Sequence, residues 1–207
     1  MVRESTLRAS RSDGVRSRRI ILDGAVRLAA VEGLDGLSIG RLADYIGMSK
    51  SGLYAHFGSK EELQLAIIDT AMDIFEVEVT GPAAIVEDPL AHVEALCDHF
   101  LSYLERSVFP GGCFFAAVAS EFDTHPGPVR DRIASLQADW MMSMQNLLEE
   151  AQANGSLGAA EDAEQLTFEL EGYLLAANLL FVLQDDAGAP ERARRAVSAR
   201  LARAAEA

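Results

Sequence analysis

The sequence predicts an all-α protein, and three observations predict it. Apolar residues recur at helical spacing, as Ile21, Ala25, Leu28 and Ala29 do at i, i+4, i+7 and i+8. The breaks between such runs carry helix punctuation, with Gly33, Gly47 and Gly58 at stops and Ser38, Ser49, Ser59 and Asp88 at starts. No segment shows sustained strand alternation, and no internal repeat of solenoid length is visible.

The elements follow in order. Residues 1–14 are polar, rich in Arg and Ser and aperiodic, and read as a flexible Arg-rich arm. Helical patterning begins at Arg16 and ends at Gly33. Ser38 caps a short helix that turns Leu42, Ala43 and Ile46 inward, Gly47 stops it, and Met48 lies in the turn. Ser49 caps a two-turn helix, about Lys50 to Phe57, stopped by Gly58. Ser59 with Glu62 three residues on reads as a capping box. The longer helix that follows turns Leu63, Ile67, Ala71 and Ile74 or Phe75 inward and is closed by Gly81-Pro82. Asp88-Pro89 opens a helix to about Arg106, and Pro110-Gly111-Gly112 breaks the chain. A short apolar helix runs from Cys113 to Phe122, and His125-Pro126-Gly127-Pro128 breaks the chain again. A long helix then reaches Asn154-Gly155, another spans about Asp162 to Gln184, and a last one ends near Ala205, about nine in all.

Composition narrows the function classes. The chain has 207 residues, 49% apolar and 24% charged, ordinary for a globular protein that needs no disulfides or metal to hold its core. Two cysteines, Cys97 and Cys113, suit a reducing compartment. There is no signal-peptide core, and the longest uncharged apolar stretch, Gly172 to Leu183, is 12 residues, short for a bilayer span. A cytoplasmic protein is expected. The net charge of −14 is uneven: residues 1–60 hold ten basic and six acidic residues, a balance of +4, and residues 61–207 hold eight and 26, a balance of −18. A basic head on an acidic body points to an anionic partner at one end.

The segment 38–57 carries the most specific pattern. Two short helices around a Gly-containing turn form a helix-turn-helix, with Leu42, Ile46, Leu53 and Phe57 to lock the pair onto the first helix. The second helix presents Lys50, Ser51, Gly52, Tyr54 and His56, with no acid among them, and such a helix fits a DNA major groove. Lys60 and the amides after Ser59 stand at the next helix N-terminus, a ready phosphate site. Arg3, Arg8 and Arg11 either reach the minor groove or belong to a solvated tail.

At these residues a resemblance becomes specific. The run from Ala43 through Tyr45, Gly47, Ser49, Lys50, Tyr54, His56 and Phe57 to Ser59-Lys60 resembles the signature of the TetR family of bacterial transcriptional repressors. The stretch from Gly111 to Arg130 is similar to a subgroup of that family's bodies. The resemblance implies a helix-turn-helix DNA-binding domain over 15–75 and a ligand-binding and dimerisation domain over 76–207. It implies phosphate contact by Ser38, base reading by Lys50, Ser51 and Gly52, contacts to phosphate or base edges by Tyr54 and His56, and backbone contact by Lys60, with Ser49 in the same DNA-binding set. It also implies a homodimer through the last two helices, presenting two recognition helices to a pseudo-palindromic operator on double-stranded DNA.

The body offers two further signals. Gly172 to Leu183 is apolar on all sides, and a second copy of the chain would cover the side its own domain does not; burial within one chain is the alternative. Phe75, Phe100, Tyr103, Phe114, Trp140, Met144 and Tyr173, with Asn178 for orientation, are candidates to line a pocket for a small apolar or aromatic effector. Phe115, Met141, Phe168 and His99 stand behind them, and simple core packing is the alternative for each. Cys113, at a helix start after two glycines, raises a redox- or electrophile-sensing repressor as another reading. The Cys and His spacings match no compact metal motif, and no phosphate loop, nucleophile elbow or zincin motif is present. A regulator with no cofactor is therefore expected rather than a helical enzyme.

Overall fold

The computed structural model describes the backbone of residues 2–206 and the side chains of residue 14 and residues 16–206. The described residues are helical, with no strand. The helices are α1 (Val2–Glu32), α2 (Ile39–Ile46), α3 (Lys50–Phe57), α4 (Lys60–Phe75), α5 (Pro89–Glu105), α6 (Phe114–Phe122), α7 (Pro128–Asn154), α8 (Ala163–Leu183) and α9 (Ala189–Ala205). A π-helical turn, Glu76–Thr80, and a short turn, Gly81–Ala83, prolong α4.

Hydroxyl and carboxylate caps start the helices where the sequence places them. Ser38, Ser49 and Ser59 accept the N–H groups of Arg41, Gly52 and Glu62 at 3.0–3.1 Å, and Asp88 and Asp162 accept those of Ala91 and Gln165. At Ser59 only half of the expected capping box forms. Its N–H bonds to the Phe57 carbonyl at 2.6 Å, so the Glu62 carboxylate is not its partner. Gly47 ends α2 in the left-handed region, at φ 70°.

Two boundaries differ from the sequence reading. Helix α1 starts at Val2 rather than near Arg16, so it includes the stretch read as an arm; the side chains of Arg3, Arg8 and Arg11 lie outside the described residues. Gly81-Pro82 does not close α4. The π turn carries the helix past it, with the Gly81 N–H bonded to the Glu76 carbonyl. A Cβ at residue 81 would lie 2.7 Å from that oxygen, so glycine is what permits the turn.

Helix α1 buries Ile21, Ala25, Leu28 and Ala29 against α2 and α4, and α3 packs on α2 and α4 to complete a three-helix head. Helix α4 leaves the head to pack on α7. In the body α5 is central, touching α7, α8 and α9, while α6 packs on α7. Arg200 on α9 pairs with Glu161 and Glu169, and Arg194 with Asp98 and Glu105, fastening the last helix to α8 and α5.

Head and body meet at the loop after α1. The Gln64 side chain donates to the Leu34 carbonyl at 3.0 Å, and the Glu121 carboxylate on α6 accepts the Asp35 N–H at 2.9 Å. Beside it, Gly111 approaches so closely that a Cβ there would lie 2.2 Å from the Ala30 carbonyl oxygen.

Candidate functional site

The head builds a small polar face on a rigid base. Leu42, Leu53 and Phe57 are buried and Ile46 is half-buried, so α2 and α3 hold one fixed angle. Ile46 also meets Gly24 of α1, where a Cβ would lie 2.7 Å from its Cγ2. Opposite that base, Ser49, Lys50, Ser51 and Tyr54 are exposed and Gly52 and His56 half-buried. The Ser49 and Ser51 hydroxyls lie 3.3 Å apart. The Lys50 ammonium folds back towards the first turn of α2, 3.1 Å from where a Cβ on Gly40 would stand. Neither α2 nor α3 has an acid in its first turn, so both helix starts keep their positive dipole end uncompensated.

Lys60 is placed differently. Its ammonium donates to the Asp35 carbonyl at 2.5 Å and lies 3.5 Å from the Asp35 carboxylate. It therefore ties α4 to the loop after α1, and Glu61 and Glu62 make that first turn acidic. Ser38 spends one lone pair on the Arg41 N–H and stays exposed.

Arg18 is a residue the sequence reading missed. Its guanidinium donates to the His56 carbonyl at 3.0 Å and lies 4.4 Å from the Phe57 ring centroid. That pair of contacts pins the last turn of α3 to α1. The sequence signal was an arginine three residues before Ile21, on the side of α1 that packs on the motif.

In the body, a cavity of about 260 Å³ lies between α4, α5, α6, α7 and α8. Phe75, Phe100 and Trp140 line it, together with Phe115. Phe75 is the hub, edge-on to Trp140 at 5.5 Å and to Phe115 at 5.9 Å between centroids. Five other candidates lie elsewhere. Tyr103 and Phe114 are buried in the main core, where the Tyr103 hydroxyl accepts the Phe114 N–H at 3.5 Å. Met144 packs with Ala83 and Leu96 in a separate cluster, and Tyr173 packs half-buried on the core. Asn178 accepts the Cys113 N–H at 2.8 Å, which caps the start of α6. Helical spacing marks these residues as inward-facing without saying which inner surface each one meets.

The cavity's polar lining was also missed. Glu171 on α8 accepts the Trp140 indole N–H at 2.9 Å and the Gln137 side-chain N–H at 3.0 Å. Asp139, Ser143 and Thr80 complete the polar set. The signal for Glu171 was an acid standing immediately before an uncharged apolar run.

Cys113 borders the cavity and is buried, and burial pushes its thiol up to about 11. Cys97, also buried, is pushed up to about 12 for the same reason. Neither thiol is poised as a thiolate, so the redox-sensing alternative finds no support. Among the described residues no cluster of His, Cys, Asp and Glu could hold a metal ion.

A three-helix head with a helix-turn-helix, joined through one long helix to an all-helical body, defines a DNA-binding transcriptional regulator. Residues 89–197 match the family model of the tetracyclin repressor-like C-terminal domain, and residues 21–67 that of the bacterial regulatory proteins of the tetR family. The chain belongs to the TetR family, whose members are regulators and not enzymes. The repressor AcnR of Corynebacterium diphtheriae is 37% identical over 79 residues, which is 37% of this chain and 42% of that protein. The chain thus matches less than half the length of that relative. A TetR regulator from Chloroflexus aurantiacus superposes with a TM-score of 0.82 at 27% identity, covering 92% of this chain and 96% of that one. AibR, solved with isovaleryl coenzyme A and operator DNA, gives 0.65 at 25% identity, covering 79% and 85%.

Proposed function

We propose that the chain is a cytoplasmic bacterial repressor that binds a pseudo-palindromic operator as a homodimer and leaves it when a small apolar or aromatic molecule fills the body cavity. The observation that carries this reading is the exposed, acid-free face of α3, set on a rigid base at the basic end of an acidic chain. Lys50, Ser51 and Tyr54 are the side chains for base edges, with Gly52 allowing close approach. Ser38, Ser49, His56 and Lys60 are the flanking contacts to phosphate, Lys60 by exchanging its Asp35 partners. AibR, bound to both a small molecule and operator DNA, supports the combination of the two activities.

Pairing of two copies is supported by α8. Phe168, Leu175, Leu179 and Leu183 are exposed on it, at 68%, 43%, 56% and 72%, and Gly172 and Ala176 lie among them. An apolar stripe of that length on a lone chain asks for a cover. By length and composition alone α8 could also cross a membrane, but Glu164, Glu169 and Glu171 along it and its packing on α7 and α9 favour a second copy as that cover.

The test is footprinting of purified protein on the DNA flanking its own gene across a salt series, with Tyr54→Ala and Lys50→Ala alongside. Saturable protection of a pseudo-palindrome, weakened about tenfold by each substitution, is expected, a contact worth about 1–3 kcal/mol. Lys50→Ala should also flatten the salt dependence. Equal weak binding to every sequence, unaffected by either substitution, would overturn the reading.

A further inference from the structure

The cavity's charge is one-sided. Its lining includes the carboxylates of Glu171 and Asp139 and, among the described residues, contains no Lys, Arg or His. Glu171 is half-buried, and its hydrogen-bond donors, Trp140 and Gln137, are both neutral. Three arginines of the body pair away from the cavity: Arg194 with Asp98 and Glu105, Arg200 with Glu161 and Glu169, and Arg132 with Asp69. The same lining holds Phe75, Phe100, Phe115 and Trp140, aromatic rings whose faces attract positive charge. Around all of this lies the stretch 61–207, with a balance of −18, which raises the local concentration of cations and lowers that of anions.

We propose that the effector is an aromatic or lipophilic cation, its ring among Phe75, Phe100 and Trp140 and its positive centre beside the Glu171 carboxylate. Glu171 has lone pairs left after its two hydrogen bonds, so an ammonium can be received without breaking the bond that orients Trp140. Asp139, exposed at the rim, attracts the same charge on the way in. A carboxylic acid or phosphate ester of the same size meets two like charges and no counter-charge. The proposal rests on the effector reading above and adds the ligand's charge.

The chain's single tryptophan, Trp140, lies in the cavity wall, so its fluorescence reports on the site directly and without DNA. The probes are three molecules of nearly one size, 4-phenylbutylammonium, 4-phenylbutanol and 4-phenylbutyrate, titrated into the full-length protein at pH 7.4. Expected is an order ammonium, alcohol, carboxylate, with at least a tenfold advantage for the ammonium over the alcohol. Glu171→Gln keeps an acceptor for the indole N–H and removes the charge. It should erase most of that advantage and leave the alcohol's affinity within about twofold, with an unchanged thermal melt. Asp139→Asn should lower ammonium affinity by a smaller factor. Equal or tighter binding of the carboxylate overturns the proposal. So does an ammonium affinity that Glu171→Gln leaves intact, or no response to any of the three. Failure of operator footprinting with this charge order intact would instead fault the head's role and leave the cavity's chemistry standing.

Discussion

Glu121 and Asp35 are 86 residues apart in sequence and joined by a 2.9 Å hydrogen bond, the carboxylate of the first accepting the backbone N–H of the second. Glu121 is near the end of α6, whose opposite end, Cys113 to Ala116, borders the cavity. Asp35 lies in the loop that Lys60 and Gln64 also hold. One short helix thus touches the cavity with its first turn and the head with its last. A hydrogen bond to a charged group contributes about 1.5–3 kcal/mol. Glu121→Ala should therefore speed hydrogen exchange of the Asp35 amide by roughly tenfold or more, with exchange in α8 unchanged. Protection that survives the substitution would show that Gly111 against Ala30 suffices to hold the joint.

The apolar stripe on α8 gives a test of pairing. Leu179→Glu places a charge at its centre, on a residue already 56% exposed in a single chain. The substitution should halve the mass seen by sedimentation while leaving helical content unchanged. Gly172→Leu should act similarly, since among the described residues nothing beyond its chain neighbours and its own helix backbone lies within 4 Å of a Cβ there, which leaves a partner helix to clash. If both variants keep the parent's mass, the dimer lies elsewhere.

Much of this was legible in the sequence because helix ends are local events. Ser38, Ser49, Asp88 and Asp162 cap through atoms three residues away, so their neighbours suffice to read them. The exposed residues of α3 were legible for the same reason: two short helices fix which side faces out. The cavity was not. Tyr103 and Trp140 are both inward aromatics, yet one fills the core and the other lines a void, and the difference depends on how α4, α5 and α7 cross. Asn178 read as a ligand group because nothing nearby in sequence shows the Cys113 amide that it caps. The π turn at Glu76–Thr80 likewise hid behind Gly81-Pro82, a pair that ordinarily stops a helix.

Arg200 sets how the body responds to acid. Its guanidinium reaches Glu161 at 2.6 Å and Glu169 at 2.5 Å, with its side chain and that of Glu161 each 13% exposed. Its hydrogen bonds hold both carboxyls below the usual carboxylate range. A carboxyl whose folded value is lowered binds fewer protons than the unfolded chain near that pH. Its stabilisation is complete above the ordinary value of 4.5 and disappears as pH falls through the lowered one. Arg200→Met leaves two carboxylates facing each other without their cation, a change that costs about 3 kcal/mol at pH 7. For a chain of this size that corresponds to a loss of roughly 10 °C in Tm. The deficit should shrink below pH 4.5, where protonation relieves the pair, and adding Glu161→Gln and Glu169→Gln should restore much of the loss at pH 7. The comparison is Arg194→Met, whose partners Asp98 and Glu105 are 57% and 39% exposed and whose loss should cost about 1 kcal/mol or less. Calorimetric melts of the parent and the variants from about pH 3 to about pH 8 measure both. A deficit for Arg200→Met that stays constant across that range would mean that the arginine acts through packing of its aliphatic stem and not through its charge.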